Sequence, residues 1–298
     1  MILVFLLYFI WALMLFVNKE VMLYCTHPLF IGGLRAFFSG LLIVFYSLFF
    51  QKTRIRVQDL SKAEWKKFFI FTFVLYGLAI SGFSLGIDYV SPIAASFIYS
   101  VGPFITAALM YFLYKEALSV NKIIGLIIGS AGVLAIVLCG HEDAGMKSSM
   151  YGVIVFVISM FLYCYSWILF KDVFVARKNE SQLLNGMAMT LGGGSALLAS
   201  IIFKVPDDSM RLLFVEHSGL VAAFVILTAW GYGLYSYLLT KYSATFLSFA
   251  GFLDPVFGTF LGVLFFGYPF HIIFIYSFIL LFIGLYLFYK EELKLSQR

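Results

Sequence analysis

The amino-acid sequence predicts an all-α integral membrane protein with ten transmembrane helices arranged as two inverted five-helix repeats. Three observations predict it. The composition is too apolar for a water-soluble domain, ten apolar stretches follow one another along the chain, and the sequence matches itself without gaps at an offset of 152 residues.

Of 298 residues, 63% are hydrophobic and 12% charged, against about 25% charged in an ordinary soluble domain. A soluble fold needs a polar skin that this chain does not have the residues to make, so its solvent must be mostly lipid. The N-terminus runs straight into apolar residues, Met1 to Val17, without the basic region that opens a cleaved signal peptide, and is read as a first, slightly short membrane helix. Cys25, Cys139 and Cys164 are odd in number and widely spaced. They fit neither a disulfide framework nor metal-ligand spacing and read as small packing residues. With no HExxH, Walker loop or CxxC, no metal, cofactor or nucleotide-driven chemistry is expected.

A membrane span needs roughly 20 mostly apolar residues. Such stretches occur near 2–17, 29–50, 68–87, 92–113, 123–140, 151–170, 182–203, 218–240, 245–266 and 270–289. They are continuous runs and not the short alternating segments of a barrel. Basic residues orient them. With both termini cytoplasmic, fifteen lie inside: Lys52, Arg54, Arg56, Lys62, Lys66, Lys67, Lys115, Lys122, Lys171, Arg177, Lys178, Lys241, Lys290, Lys294 and Arg298. Four lie outside, Lys19, Lys147, Lys204 and Arg211, and Arg35 falls within a span. The expected location is the inner (plasma) membrane.

The offset of 152 aligns Lys19 with Lys171, Ala36 with Ala188, Gly40 with Gly192, Ser91 with Ser243 and Ser96 with Ser248. It also aligns Phe97 with Phe249, Pro103 with Pro255, Ile123 with Ile275 and Gly132 with Gly284. Chance apolar matches are common in membrane helices, so the Lys, Pro and Gly pairs carry the weight. The halves become 1–140 and 151–290, with 291–298 a cytoplasmic tail. Five spans per half is odd, so the second half enters the membrane from the opposite side. Inverted repeats of this kind place a substrate site near the midplane, exposed alternately to each side as the halves rock.

The opening stretch Trp11 to Arg35, with Lys19 and Pro28, resembles the EamA-type drug/metabolite transporter superfamily. So does the segment from Tyr89–Val90–Ser91 through Pro103 to Lys115–Glu116, followed by Gly125 and Gly132. The resemblance covers nearly the whole chain. It implies ten helices, inverted repeats and a central cavity for metabolites such as amino acids or nucleotide derivatives. One departure is that Tyr268 stands in the second half where Glu116 stands in the first.

Asp254 falls mid-way along the ninth span, directly before Pro255. A charge at that depth costs about 2.5–3.5 kcal/mol on insertion scales and so calls for compensation. It is read as a proton site or a counter-ion for a cationic substrate, against a structural, paired acid. Arg35, about 9 Å into its span at 1.5 Å per residue, is expected to snorkel to the outer interface. Gly77, Ser81, Ser84 and Asp88 form one small, polar stripe on the third span, with Ala229, Gly233, Ser236 and Thr240 matching on the eighth. Such stripes suit either helix packing or a cavity wall. Trp230 and Tyr232 on the eighth span, which also bears Tyr235 and Tyr237, and Tyr99 on the fourth lie too deep for an interfacial belt. They are candidates for stacking on a planar or cationic substrate, with core packing the alternative. The substrate-binding candidates are therefore Asp254, Trp230, Tyr232, Tyr99, Ser84 and Ser81.

Gly82–Phe83–Ser84–Leu85–Gly86 spells the GxSxG of a nucleophile elbow. His27, His141, His217 and His271 all fall at span ends or in loops, so no base lies at its depth. Gly82 and Gly86, like Gly125/Gly129 and Gly258/Gly262, read more simply as helix-packing pairs. Three functions compete: a secondary transporter, a membrane-embedded enzyme and a non-transporting scaffold. The inverted repeat and the lack of an assembled catalytic constellation favour the transporter. Its expected partners are a small-molecule substrate, the lipid bilayer and a coupled proton or counter-substrate, with no nucleic acid. A cationic, aromatic-bearing metabolite such as S-adenosylmethionine, or an aromatic or basic amino acid, would match Asp254 and the aromatic rings.

Overall fold

The computed structural model describes residues 2–53, 60–115, 119–139, 149–174, 177, 180–203, 211–242, 247 and 250–295. Arg54, Arg56, Glu116, His141, Lys147, Lys178, Lys204, Ser243, Ser248, Phe249 and Arg298 lie outside them. Every regular element among the described residues is helical.

Among the described residues, seven helices are long and apolar enough to cross a membrane: α1 (Ile2–Tyr24), α2 (Pro28–Phe49), α3 (Lys62–Tyr89), α4 (Pro92–Tyr114), α6 (Met150–Phe174), α7 (Ser181–Ile202) and α8 (Ser218–Leu239). Shorter apolar stretches lie in α5 (Val120–Cys139), α9 (Leu253–Phe265) and α10 (Ile272–Leu295). Local chemistry sets several starts. His27 caps α2 by accepting the Phe30 amide on Nδ1, with Pro28 at the first helical position. A reciprocal Ser61–Glu64 capping box opens α3, and Ser91 followed by Pro92 opens α4.

Four helices depart from the sequence expectation, in three ways. First, α1 runs on to Tyr24 instead of stopping near Val17, although Asn18, Lys19 and Glu20 interrupt the apolar run. The Lys19 ammonium is used within the protein, donating to the carbonyls of Ile87 (2.8 Å) and Asp88 (2.6 Å) at the C-terminal end of α3. Cations are favoured there by the helix dipole and the unsatisfied carbonyls. Second, α3 carries a π-helical stretch, Thr72–Ala79, and α4 breaks between Tyr99 and Gly102, just before Pro103. Third, α9 begins only at Leu253, so Asp254 stands in its first turn and not at the middle of a continuous span.

Many contacts between helices correspond at the 152-residue offset of the sequence. The two most extensive interfaces, α2 with α7 and α5 with α10, each join helices 152 residues apart. Among the further contacts between the two halves, α4 meets its counterpart α9, and others come in exchanged pairs: α1 with α8 and α3 with α6, α1 with α9 and α4 with α6, α2 with α8 and α3 with α7. Glycines permit the close approaches. A Cβ on Gly40 would lie 2.5 Å from the Thr190 amide nitrogen on α7, and one on Gly284 2.5 Å from the Gly125 carbonyl on α5. In lipid, where helix association cannot draw on apolar burial, such backbone contact is the main source of cohesion. The outer surface is apolar, as Phe38, Leu42 and Phe45 on α2 and Ile275, Ile279 and Phe282 on α10 illustrate.

Candidate functional site

Where α1, α3, α6 and α8 meet, the interior is aromatic. Trp11 of α1 lies 5.0 Å from Tyr235, 6.2 Å from Tyr163 and 6.3 Å from Tyr232 between ring centroids. Trp167 of α6 closes the group, 4.6 Å from Tyr235 and 6.4 Å from Tyr232 in a near-parallel stack. Tyr99 of α4 joins through Tyr163 and Phe83. Space for Trp11 comes from Gly231, where a Cβ would sit 2.7 Å from the indole nitrogen.

This centre holds polar atoms that no described residue satisfies. Trp11 Nε1, Trp167 Nε1 and Tyr163 Oη are buried without a hydrogen-bond partner. Most buried polar groups in folded proteins are paired, and lipid offers no substitute. Three such donors therefore lie within one set of touching rings. Orphaned hydroxyls elsewhere, on Ser47, Thr72, Thr259 and Ser277, occur on separate helices.

Two charged groups flank the rings. Asp254 is 4% exposed and its Oδ1 has no partner among the described residues. Its amide bonds to the Gly251 carbonyl at 3.0 Å, which turns the chain into α9. Arg35 is 2% exposed. Its Nη2 donates to the Ile80 carbonyl at 3.1 Å, and its guanidinium lies 5.2 Å above the Phe224 ring. Tyr99 feels both charges, and Arg35 also interacts with Tyr232. The expected snorkelling of Arg35 is therefore overturned. The guanidinium turns into the bundle because the carbonyl of Ile80, directly after the π-helical stretch, and the face of Phe224 receive it.

Of the candidates named from sequence, Asp254, Tyr232 and Tyr99 are brought to this region. Trp230 is not: it is 62% exposed. Two residues along an α-helix is about 200° of rotation, so burying Tyr232 turns Trp230 to the surface. Ser81 donates to the Gly77 carbonyl at 2.8 Å and packs against Gly32 of α2. Ser84 is fully buried and lies 3.4 Å from Asn18 Oδ1. On the same helix, Gly82 and Gly86 take up Ser159 and Phe156 of α6, so the GxSxG segment is a helix-packing surface. Cys25 and Cys164 are buried free thiols, and no cluster of metal-ligating side chains occurs among the described residues.

Trp11, Tyr163, Trp167, Tyr235 and Arg35 were not singled out as site residues from sequence. The offset of 152 contained part of the signal. It pairs Trp11 with Tyr163 and Phe83 with Tyr235, and these four rings make the matching contacts Trp11–Tyr235 and Tyr163–Phe83, at 5.0 and 5.9 Å.

Fold and centre together define a multi-pass helical membrane protein whose interior carries an aromatic, charge-flanked centre. A profile of the EamA-like transporter family matches residues 1–138 and 150–290, and the chain belongs to that family: it is a membrane transporter and not an enzyme. It is 29% identical to an S-adenosylmethionine/S-adenosylhomocysteine transporter of Chlamydia muridarum, over 98% of this chain and 92% of that protein. The transporter of the same name from Chlamydia trachomatis serovar L2 is also 29% identical, covering 98% and 89%. An uncharacterized transporter of Bacillus subtilis is 25% identical over 79% and 78%. One solved crystal structure superposes with a TM-score of 0.66 over 96% of this chain and 93% of its own, at 15% identity, a likeness of fold alone.

Proposed function

We propose that this protein is a secondary transporter that carries an S-adenosylmethionine-type metabolite through its aromatic centre by alternating access. The observation that carries this reading is the set of touching rings with orphaned donors, flanked by a buried acid. A planar base has a π-face to stack on Trp11, Trp167 and Tyr232 and ring nitrogens to accept from indole N–H groups. Its sulfonium is a cation that aromatic faces and Asp254 would both stabilise. The names carried by the chlamydial relatives support the same substrate class. Ser81 and Ser84 are left to helix packing in this reading, and Trp230 to the lipid face.

Alternating access follows from an inverted repeat of residues 1–140 and 151–290, followed by a tail, 291–298. The exchanged helix contacts support a two-fold relation between the halves. If α5, α9 and α10 also cross the bilayer, each half has five spans, and only an axis in the membrane plane relates halves with an odd number. Both termini and residues 51–67 are then cytoplasmic in the plasma membrane, and Asp254 is where a proton or counter-substrate would couple.

The test is uptake into proteoliposomes. Purified protein should take up labelled S-adenosylmethionine above protein-free vesicles, and unlabelled S-adenosylhomocysteine inside should accelerate it. Uptake no faster than that of empty vesicles for both compounds would end the substrate assignment.

A further inference from the structure

We infer that Arg35 is a carboxylate-binding site, so that the carrier selects solutes bearing a carboxylate. This rests on the proposed transport reading only for where the solute sits; the anion site itself is argued from Arg35. A guanidinium carries five N–H donors and stays charged at any physiological pH. Arg35 is 2% exposed, yet among the described residues its side chain makes only one hydrogen bond, to the Ile80 carbonyl. Nε is buried and unpartnered, and no carboxylate among the described residues pairs with the side chain. The Phe224 face at 5.2 Å offsets part of the charge but uses none of its N–H groups. An unpaired buried charge is costly, and the planar fork of arginine matches a carboxylate with two parallel hydrogen bonds.

The surroundings point the same way. The hydroxyls of Tyr99 and Tyr232 are electrostatic neighbours of Arg35, and Tyr232 belongs to the aromatic group, so a solute stacked there can extend an anionic end toward the guanidinium. Asp254 also interacts electrostatically with Tyr99, but no ion pair joins it to Arg35. The repeat does not duplicate either charge: Met187 corresponds to Arg35 and Gly102 to Asp254. A symmetric frame thus holds one cation in its first half and one anion in its second. That dipolar arrangement suits a zwitterion, an α-ammonium carboxylate with a planar or apolar remainder.

The experiment uses the purified full-length protein in detergent. Ligand-induced thermal stabilisation is titrated with matched pairs that differ in the carboxylate: S-adenosylmethionine against its decarboxylated form, methionine against methioninamide, tryptophan against tryptamine. In any pair that binds, the carboxylate member should be preferred by about tenfold or more, the worth of a charge-assisted hydrogen bond. Arg35→Gln should erase that preference while leaving the affinity for the carboxylate-free member within about twofold. Should the Gln variant not be monodisperse, Arg35→Lys takes its place and should cut the preference several-fold. No preference in the wild type, or one untouched by either substitution, overturns the inference and leaves the transporter reading intact. Silence of the adenosyl pair with an Arg35-dependent preference in another pair overturns the adenosyl substrate and supports the anion site. No binding in any pair overturns both.

Discussion

The α2–α7 interface and the aromatic centre use opposite strategies in adjoining parts of the same bundle. At α2–α7, side chains are removed until backbones touch: Gly33 and Gly40 face Gly186 and Gly193. Small hydroxyls there turn back on their own helix, as Thr190 does to the Gly186 carbonyl at 2.9 Å. In the centre the side chains are the largest available, and Trp11 Nε1, Trp167 Nε1 and Tyr163 Oη find no partner among the described residues. Glycine contact is dense, self-satisfied and intolerant of added volume, and a ring cluster with unpaired donors is not self-satisfied. On the proposed reading the first is the fulcrum of transport and the second its site.

Four measurements would break or sharpen that contrast. The largest effect is expected at Asp254. On the proposed reading, Asp254→Asn keeps the shape and removes the charge, lowering counterflow about a hundredfold or more with expression and monodispersity intact, while Asp254→Glu retains part of the rate. Wild-type counterflow in the Asn variant would return Asp254 to a structural role.

Next comes the interface. Gly40→Ala should lower thermal stability in detergent, because the new methyl meets the Thr190 amide nitrogen at 2.5 Å and the Gly186 carbonyl at 2.8 Å. Overpacking of this kind costs about 1–3 kcal/mol. Gly219→Ala, with nothing within 4 Å, is the control and should cause no loss. Equal melting temperatures for the two variants would contradict the fulcrum description.

A smaller effect distinguishes ring from ring. Removing Trp167 (Trp167→Leu) should weaken substrate affinity about tenfold, the ~1.4 kcal/mol within reach of lost aromatic contact. Trp230→Leu on the exposed face should leave affinity unchanged within about twofold. Competition binding measures both, and a stronger loss at Trp230 would move the site to the other face of α8.

The smallest effect is expected at Glu64. Its carboxylate accepts from Arg177 at 3.1 Å, and both side chains are about a quarter exposed. Exposed pairs contribute roughly 0–1 kcal/mol, so Glu64→Gln should shift the melting temperature by no more than a degree or two.

Much of the architecture was readable because lipid imposes a simple rule. Every backbone polar group must be satisfied within its own segment, so apolar runs become helices and their extent can be counted. The interruptions misled where a partner elsewhere in the fold accommodated them. Lys19 sits within α1 because the last carbonyls of α3 accept its protons. Arg35 likewise turns inward toward Ile80 and Phe224 instead of out to water.

The sequence by itself determined that this is a helical membrane protein whose chain matches itself at an offset of 152 residues, and that Asp254 is an acid within an apolar run. Composition, run length and self-similarity are properties of the chain, and the bilayer converts them directly into structure. Only the tertiary structure decided which aromatic residues face one another. An apolar helix bathed in lipid has no polar side to mark its exterior, so nothing local separates Tyr232, 1% exposed, from Trp230, 62% exposed. That choice rests on where α1 and α6 lie against α8, and their placement is set by packing between helices far apart in the chain.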